Sequence, residues 1–236
     1  MRNIPPIVLI GGALCDHKLW DPMRRSLPNL SCRMLVLNYS DFRSAKQAAR
    51  SLLPTLPDHF ALAGFSLGGV LALELQAQAP ERIAGMMLIA TNARADTDSK
   101  AHSRRLAVEA AEREGIVAYV QRVLWPISIS HSKVRHERLR DIFCSMARQA
   151  GLDTFDRQTD IALLREDSLP RLSSVRVPTV IISGGEDFLN PSGSQVEMVE
   201  GIVGARWVIL PGVGHLIPLE APDTLAIALR EWVVNL

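Results

Sequence analysis

Ser66 stands between two glycines in Gly64-Phe65-Ser66-Leu67-Gly68, where the apolar run over 60–63 gives way to a helical pattern over 67–79. A serine hydroxyl is a weak nucleophile until a base takes its proton, so this arrangement asks for a histidine and a group to orient it. The Gly-x-Ser-x-Gly pattern alone arises by chance in a chain of this length about one time in ten. A serine ahead of a helix is also an ordinary cap. The context is what gives the pentapeptide meaning. A strand-to-helix turn sharp enough to expose the serine leaves no room for Cβ atoms on either side, and Gly64 and Gly68 remove them.

Six histidines are available as the base. His215, in Pro211-Gly212-Val213-Gly214-His215, directly follows the last apolar run; His17 follows the first and is the next contender. His59 precedes a run and falls at the opposite end, while His102, His131 and His136 lie in charged helical text. For the acid, Asp187 follows the run that ends at Ile182, with Glu186 beside it and Asp96 further off as competitors. The order Ser66, Asp187, His215 is the one that accompanies a nucleophile on such a turn. Attack on a carbonyl also needs N–H donors for the oxyanion, and a helix N-terminus offers unpaired ones. Leu67 supplies the first; Gly11-Gly12-Ala13, after the first run, offers the second at Ala13, with Leu14 in reserve.

These residues act together only if the ends of several runs meet. Apolar runs at 7–10, 34–37, 60–63, 86–90, 179–182 and 207–210 each end in turn residues and read as strands buried on both faces. Helical patterns over 43–53, 67–79, 193–203 and 222–235 alternate with them. The expected fold class is α/β, a doubly wound and mostly parallel sheet. The alternation breaks once: from 93 to 171 the text is helical and charged, with Gly115, Pro126 and Gly151 as breaks between helices. An insertion after a strand end lies over the ends of neighbouring strands, where open α/β sheets bind ligands.

Composition narrows the classes further. With 26 Lys and Arg against 25 Asp and Glu, the chain lacks the basic excess of a nucleic-acid binder. Cys15, Cys32 and Cys144 are odd in number and form no CxxC pair, which argues against a disulfide framework or a zinc site and fits a cytoplasmic protein. The early apolar run is too short for a signal peptide or a membrane span. The chemistry read above calls for no cofactor and no metal.

The residues resemble the α/β-hydrolase superfamily, in its compact serine esterase-like branch with a helical cap. Four stretches carry the resemblance: IVLIGGALCDHKLWDPM, LAGFSLGGVLALELQAQAPERIAGMMLIAT, VPTVIISGGEDFLNP and LPGVGHLIPLEAPDTLAIALREWV. It implies a hydrolase core over 1–92 and 172–236 and a cap over 93–171. Two departures stand out. Gly11-Gly12 replaces the His-Gly of most relatives, and Leu37-Asn38-Tyr39-Ser40-Asp41-Phe42-Arg43-Ser44 lacks the glycine-rich turn that usually follows the second strand. The second departure implies a trimmed loop and a more open approach.

A serine nucleophile disfavours the branches that need a carboxylate to form an alkyl-enzyme ester. What remains is attack on a carbonyl, and a carboxylic ester, thioester or lactone of a small molecule asks least of the site. A C–C bond hydrolase of dienol or diketone substrates and a weakly catalytic ligand receptor are the alternatives. Leu14, Cys15, Phe65, Trp125 and Leu216 are the expected pocket residues; for Trp125 the competing reading is the cap's own core. Residues 122–148 hold six basic residues (Arg122, Lys133, Arg135, Arg138, Arg140, Arg148) against Glu137 and Asp141. They read either as a solvated face or as a docking face for an anionic substrate or an acyl-carrier protein.

Overall fold

Alternate residues of the apolar runs turn to opposite sides of one sheet, and both sides are covered. The computed structural model describes residues 4–28, 30 and 32–236. Its strands are β1 (Ile7–Ile10), β2 (Met34–Leu37), β3 (Phe60–Phe65), β4 (Ile83–Ile89), β5 (Thr179–Gly184) and β6 (Arg206–Leu210). They form a single sheet in the order β2-β1-β3-β4-β5-β6, with every neighbouring pair parallel. Ile7, Leu9, Ala61, Ala63, Met87 and Ile182 pack on one face, and Val8, Ile10, Leu62, Leu88 and Ile181 on the other. Strands β1, β3, β4 and β5 are buried on both faces and read as apolar runs, whereas the edge strands β2 and β6, expected to be buried on both faces, are only partly so, with Ile209 exposed.

The α-helices among the described residues are α1 (Asp21–Arg25), α2 (Ala45–Leu52), α3 (Leu67–Gln78), α4 (Asp98–Glu114), α5 (Ile116–Tyr119), α6 (Trp125–Ser128), α7 (Glu137–Leu163), α8 (Ser192–Gly201), α9 (Ile217–Glu220) and α10 (Pro222–Val233). Met23 of α1 with Leu225 and Leu229 of α10 cover one face of the sheet. Ala48 of α2, Leu71 of α3 and Met198 of α8 cover the other. Helices α4 to α7 occupy the interval between β4 and β5 and contain no strand.

Two of the expected breaks in that interval are helix ends or kinks, and one is not. Gly115 closes α4 at φ +85°, and Gly151 kinks α7 at φ +75°. Pro126 instead sits in the first turn of α6. A π-helical turn over Val120–Leu124 precedes it, the device by which a helix absorbs a local irregularity without ending. Strand β4 begins at Ile83, three residues before the apolar run suggests, because Gly85 interrupts the run. A Cβ at Gly85 would stand 3.0 Å from the Pro178 carbonyl oxygen and closer still to Leu236.

Candidate active site

In an all-parallel sheet the C-terminal ends of the strands share one edge. The loops after β1, β3, β4, β5 and β6 therefore gather there, although they are far apart in sequence. Ser66 follows β3 at φ +53°, ψ −119°, a conformation that side chains rarely adopt. Close packing holds the turn. A Cβ on Gly64 would lie 2.6 Å from the Gly68 carbonyl oxygen, and one on Gly68 would lie 2.2 Å from that of Ile10. The Ser66 N–H donates to the Ile89 carbonyl at 2.9 Å, and the Thr91 hydroxyl donates to the Ser66 carbonyl at 2.7 Å.

His215, after β6, places Nε2 2.9 Å from Ser66 Oγ and Nδ1 2.8 Å from Asp187 Oδ2. The other carboxylate oxygen of Asp187 accepts from the N–H groups of Leu189 at 2.9 Å and Asn190 at 2.8 Å. An ionised carboxylate can only accept, so the ring proton lies on Nδ1 and the Nε2 lone pair faces the serine hydroxyl. Both His215 and Asp187 are buried, and the Phe65 ring packs against the imidazole with centroids 5.1 Å apart. The sequence competitors are engaged elsewhere. Glu186 accepts from the N–H of His131 at 2.9 Å, Asp96 pairs with Arg104 and Arg165, and His17 is exposed beside Asp16.

The N–H groups of Ala13 and Leu67 donate to no acceptor among the described residues. Gly12 lets the Ala13 loop approach: a Cβ there would stand 2.9 Å from the Phe65 ring and 3.1 Å from Ser66 Cβ. Leu14 cannot serve as the reserve donor, because its N–H donates to Gln158 Oε1 at 2.8 Å. Gln158, on α7, is a residue that sequence reasoning passed over. The Tyr39 hydroxyl pins the same loop by donating to the Gly11 carbonyl at 2.7 Å, and burial pushes that phenol well above its usual range.

Glu220, the last residue of α9, was also missed. One of its carboxylate oxygens accepts from the Gly214 N–H at 3.0 Å and the other from the Ser130 N–H at 3.1 Å. The Leu216 N–H donates to the Ser128 carbonyl at 2.9 Å. The loop carrying His215 is thus tied on both sides to the segment after α6.

A cavity of about 330 Å³ opens over Ser66 and His215, between the strand ends and helices α4 to α7. Cys15, Phe65 and Leu216 line it together with Tyr119, Phe143 and Phe155. Two expected lining residues do not. Leu14, at φ +61°, turns its side chain into the core beneath the sheet edge. Trp125 is buried inside the helical segment, where its indole N–H donates to the Val134 carbonyl at 2.7 Å. Nor is the approach past β2 simply open. A second cavity of about 370 Å³, lined by Asn38, Tyr39 and Gln149, lies there under α7, with Cys15 and Gln158 shared between the two. The Arg157 side chain bonds the Ser40 carbonyl at 2.8 Å and holds that loop to α7. Burial pushes the Cys15 thiol up to about 12. Among the described residues no group of three His, Cys, Asp or Glu side chains could hold a metal ion, and no helix is long and apolar enough to cross a membrane.

A hydroxyl, an imidazole and a carboxylate in this relay, with two free N–H groups alongside, belong to a recognised class of fold and site. The sequence profile of the alpha/beta hydrolase family matches residues 7–228, and the chain belongs to that family. A pimeloyl-[acyl-carrier protein] methyl ester esterase of Nitrosomonas europaea is 25% identical, over 94% of this chain and 92% of that one. Among solved structures, a thermophilic esterase from Thermogutta terrifontis superposes with a TM-score of 0.87 at 24% identity, over 98% of this chain and 90% of that one. An enol-lactonase from Burkholderia xenovorans also gives 0.87, at 20% identity, over 98% and 92%.

Proposed function

We propose that this hydrolase cleaves a carboxylic ester, thioester or lactone of a small molecule through an acyl-enzyme on Ser66. The observation that carries the reading is the continuous relay from Asp187 through His215 to Ser66, built from three separate strand ends. Ser66 Oγ attacks the carbonyl carbon as its proton passes to His215 Nε2. The resulting oxyanion is met by the N–H groups of Ala13 and Leu67, donors typically worth about 3 kcal/mol each in the transition state. His215 returns the proton to the departing alkoxide, which leaves as the alcohol. Water then loses a proton to Nε2 and attacks the acyl carbon, releasing the acid and restoring the Ser66 hydroxyl. Asp187 holds the tautomer throughout and stabilises the imidazolium.

In this reading residues 93–171 form a cap over a core of 1–92 and 172–236, and the cap supplies the substrate walls. The relative named as an acyl-carrier-protein methyl ester esterase extends the reading to a carrier-borne acyl chain. Arg135, Arg138 and Arg148 are exposed for such a contact, whereas Arg122 is paired with Glu114 and Lys133 bonds the Glu220 carbonyl. The central test is Ser66→Ala. It should abolish hydrolysis of short p-nitrophenyl esters with an unchanged circular dichroism spectrum, and a fluorophosphonate should label Ser66 in the native chain. Wild-type turnover in the variant would sink the proposal.

A further inference from the structure

The cavity over Ser66 is lined by three cationic side chains, Lys100, Arg104 and Arg165, and among the described residues by no carboxylate. Lys100, Ser103, Arg104 and Ala107 all line it. They recur at intervals of three and four along α4, the spacing of one helix face. This face is not buried: Lys100 and Ser103 are exposed and Arg104 and Ala107 half-buried, and it presents two charges to the cavity.

Behind them stands one shared counterion. Asp96, whose side chain is 1% exposed, bonds the guanidinium of Arg104 and accepts from Arg165 Nη2 at 2.7 Å. Arg165 is itself only 6% exposed; its Nη2 also donates to Asn92 Oδ1 at 3.2 Å, and its buried Nε–H has no acceptor among the described residues. Arg165 is buried and shares Asp96 with the half-exposed Arg104, so the pair carries one positive charge more than its counterion, which an anion entering the cavity would neutralise. Burial accordingly holds the Arg165 pKa below its ordinary value, against the pull of Asp96. Asp167, the other acid whose charge reaches Arg165, is exposed and accepts from the Leu169 N–H at 2.9 Å. The cluster is close to the reacting serine along the chain of contacts. Asn92, bonded to Arg165, adjoins Thr91, whose hydroxyl holds the Ser66 carbonyl.

Resting on the serine-hydrolase reading, we infer that Lys100, Arg104 and Arg165 form a subsite for a carboxylate carried by the substrate. The substrate is then a half-ester of a dicarboxylic acid, or a lactone bearing a free carboxylate. The two guanidiniums less Asp96 carry one positive charge, which a single carboxylate neutralises, while Lys100, at an exposed position, keeps its own charge in solvent. The apolar remainder of the wall, with Tyr119, Leu124, Phe143 and Phe155, suits the methylene chain between the two ends.

The test compares monomethyl adipate with dimethyl adipate, which share an acyl chain and differ in one charge. The wild-type chain should prefer the monoester in kcat/KM by about tenfold, the worth of one charge-assisted contact. Lys100→Glu, at an exposed position in the first turn of α4 where an acid is tolerated, and Arg104→Gln should each erase most of that preference, chiefly through KM. Free adipate should inhibit competitively, and inorganic phosphate at the same concentration should not. No preference in the wild type, an unchanged preference in both variants, or equal inhibition by phosphate would overturn the subsite, and the cluster would then serve only to tie α4 to the segment after α7. Failure to hydrolyse either ester, with Ser66 unlabelled by fluorophosphonate, would instead overturn the hydrolase reading.

Discussion

At the scale of single residues, the proposed relay depends on groups set behind the serine. Asp187→Asn would accept from the imidazole less well and would favour the wrong tautomer, so kcat should fall by about 10³–10⁴-fold while KM changes little; steady-state kinetics on a p-nitrophenyl ester measures it. Glu220→Ala would strand the N–H groups of Gly214 and Ser130 in the interior. That should lower stability by about 2–4 kcal/mol, read from urea unfolding. The Cys15 thiol deprotonates only near 12, so at pH 8 it stays neutral. It should react with iodoacetamide about a thousandfold more slowly than a free cysteine, as followed by mass spectrometry. That Ser66, Asp187 and His215 come together was legible because each is a reactive type placed where an apolar run stops. Glu220 and Gln158 were not, because each acts on a backbone N–H that the fold alone delivers: Ser130 from 90 residues away and Leu14 from 144. Leu14 misled for a related reason. Its backbone turns to positive φ, which points the side chain away from the cavity its neighbours line.

At the scale of elements, the turn between β3 and α3 is set by backbone crowding rather than by side-chain bonds. Gly68→Ala would drive a Cβ into the Ile10 carbonyl, so β1 and α3 would have to part. A loss of about 3 kcal/mol or more, or no soluble protein, is expected. Gly151→Ala provides the contrast. Nothing lies within 4 Å of its would-be Cβ, so only the left-handed backbone at the kink is strained. The cost should be about 1–2 kcal/mol in thermal unfolding, with the fold kept. The central strand runs were legible because burial on both faces leaves an uninterrupted apolar signature; the edge strands β2 and β6 carry apolar runs without that burial. The start of β4 was hidden by Gly85, which is there for close packing and reads as a break. Pro126 was hidden by the opposite error, since a π-helical turn lets the helix carry on where a proline usually stops it.

At the scale of the molecule, the helices between β4 and β5 do not have a core of their own. Tyr119, Val120, Phe143, Met146 and Phe155 pack in one continuous cluster with Leu9, Phe65 and Ile89 of the sheet. Unfolding should therefore be a single cooperative transition, with tryptophan fluorescence and far-ultraviolet circular dichroism superimposed; two separated midpoints would show an independent unit. From the sequence the interruption in the strand pattern was plain, but the shared core was not, because the underside of a charged helical stretch is visible only once it is set against the strand ends.

The same arrangement has a consequence for descent. In the proposed mechanism the reacting atoms come from positions 66, 187 and 215, whereas more than half of the residues that line the cavity come from one uninterrupted stretch, 100–165. Substrate preference and chemistry are thus written on different parts of the gene. An exchange confined to the interval between Ile89 and Thr179, provided it keeps the apolar underside, can hand the lineage a new diet without touching the bond-breaking apparatus.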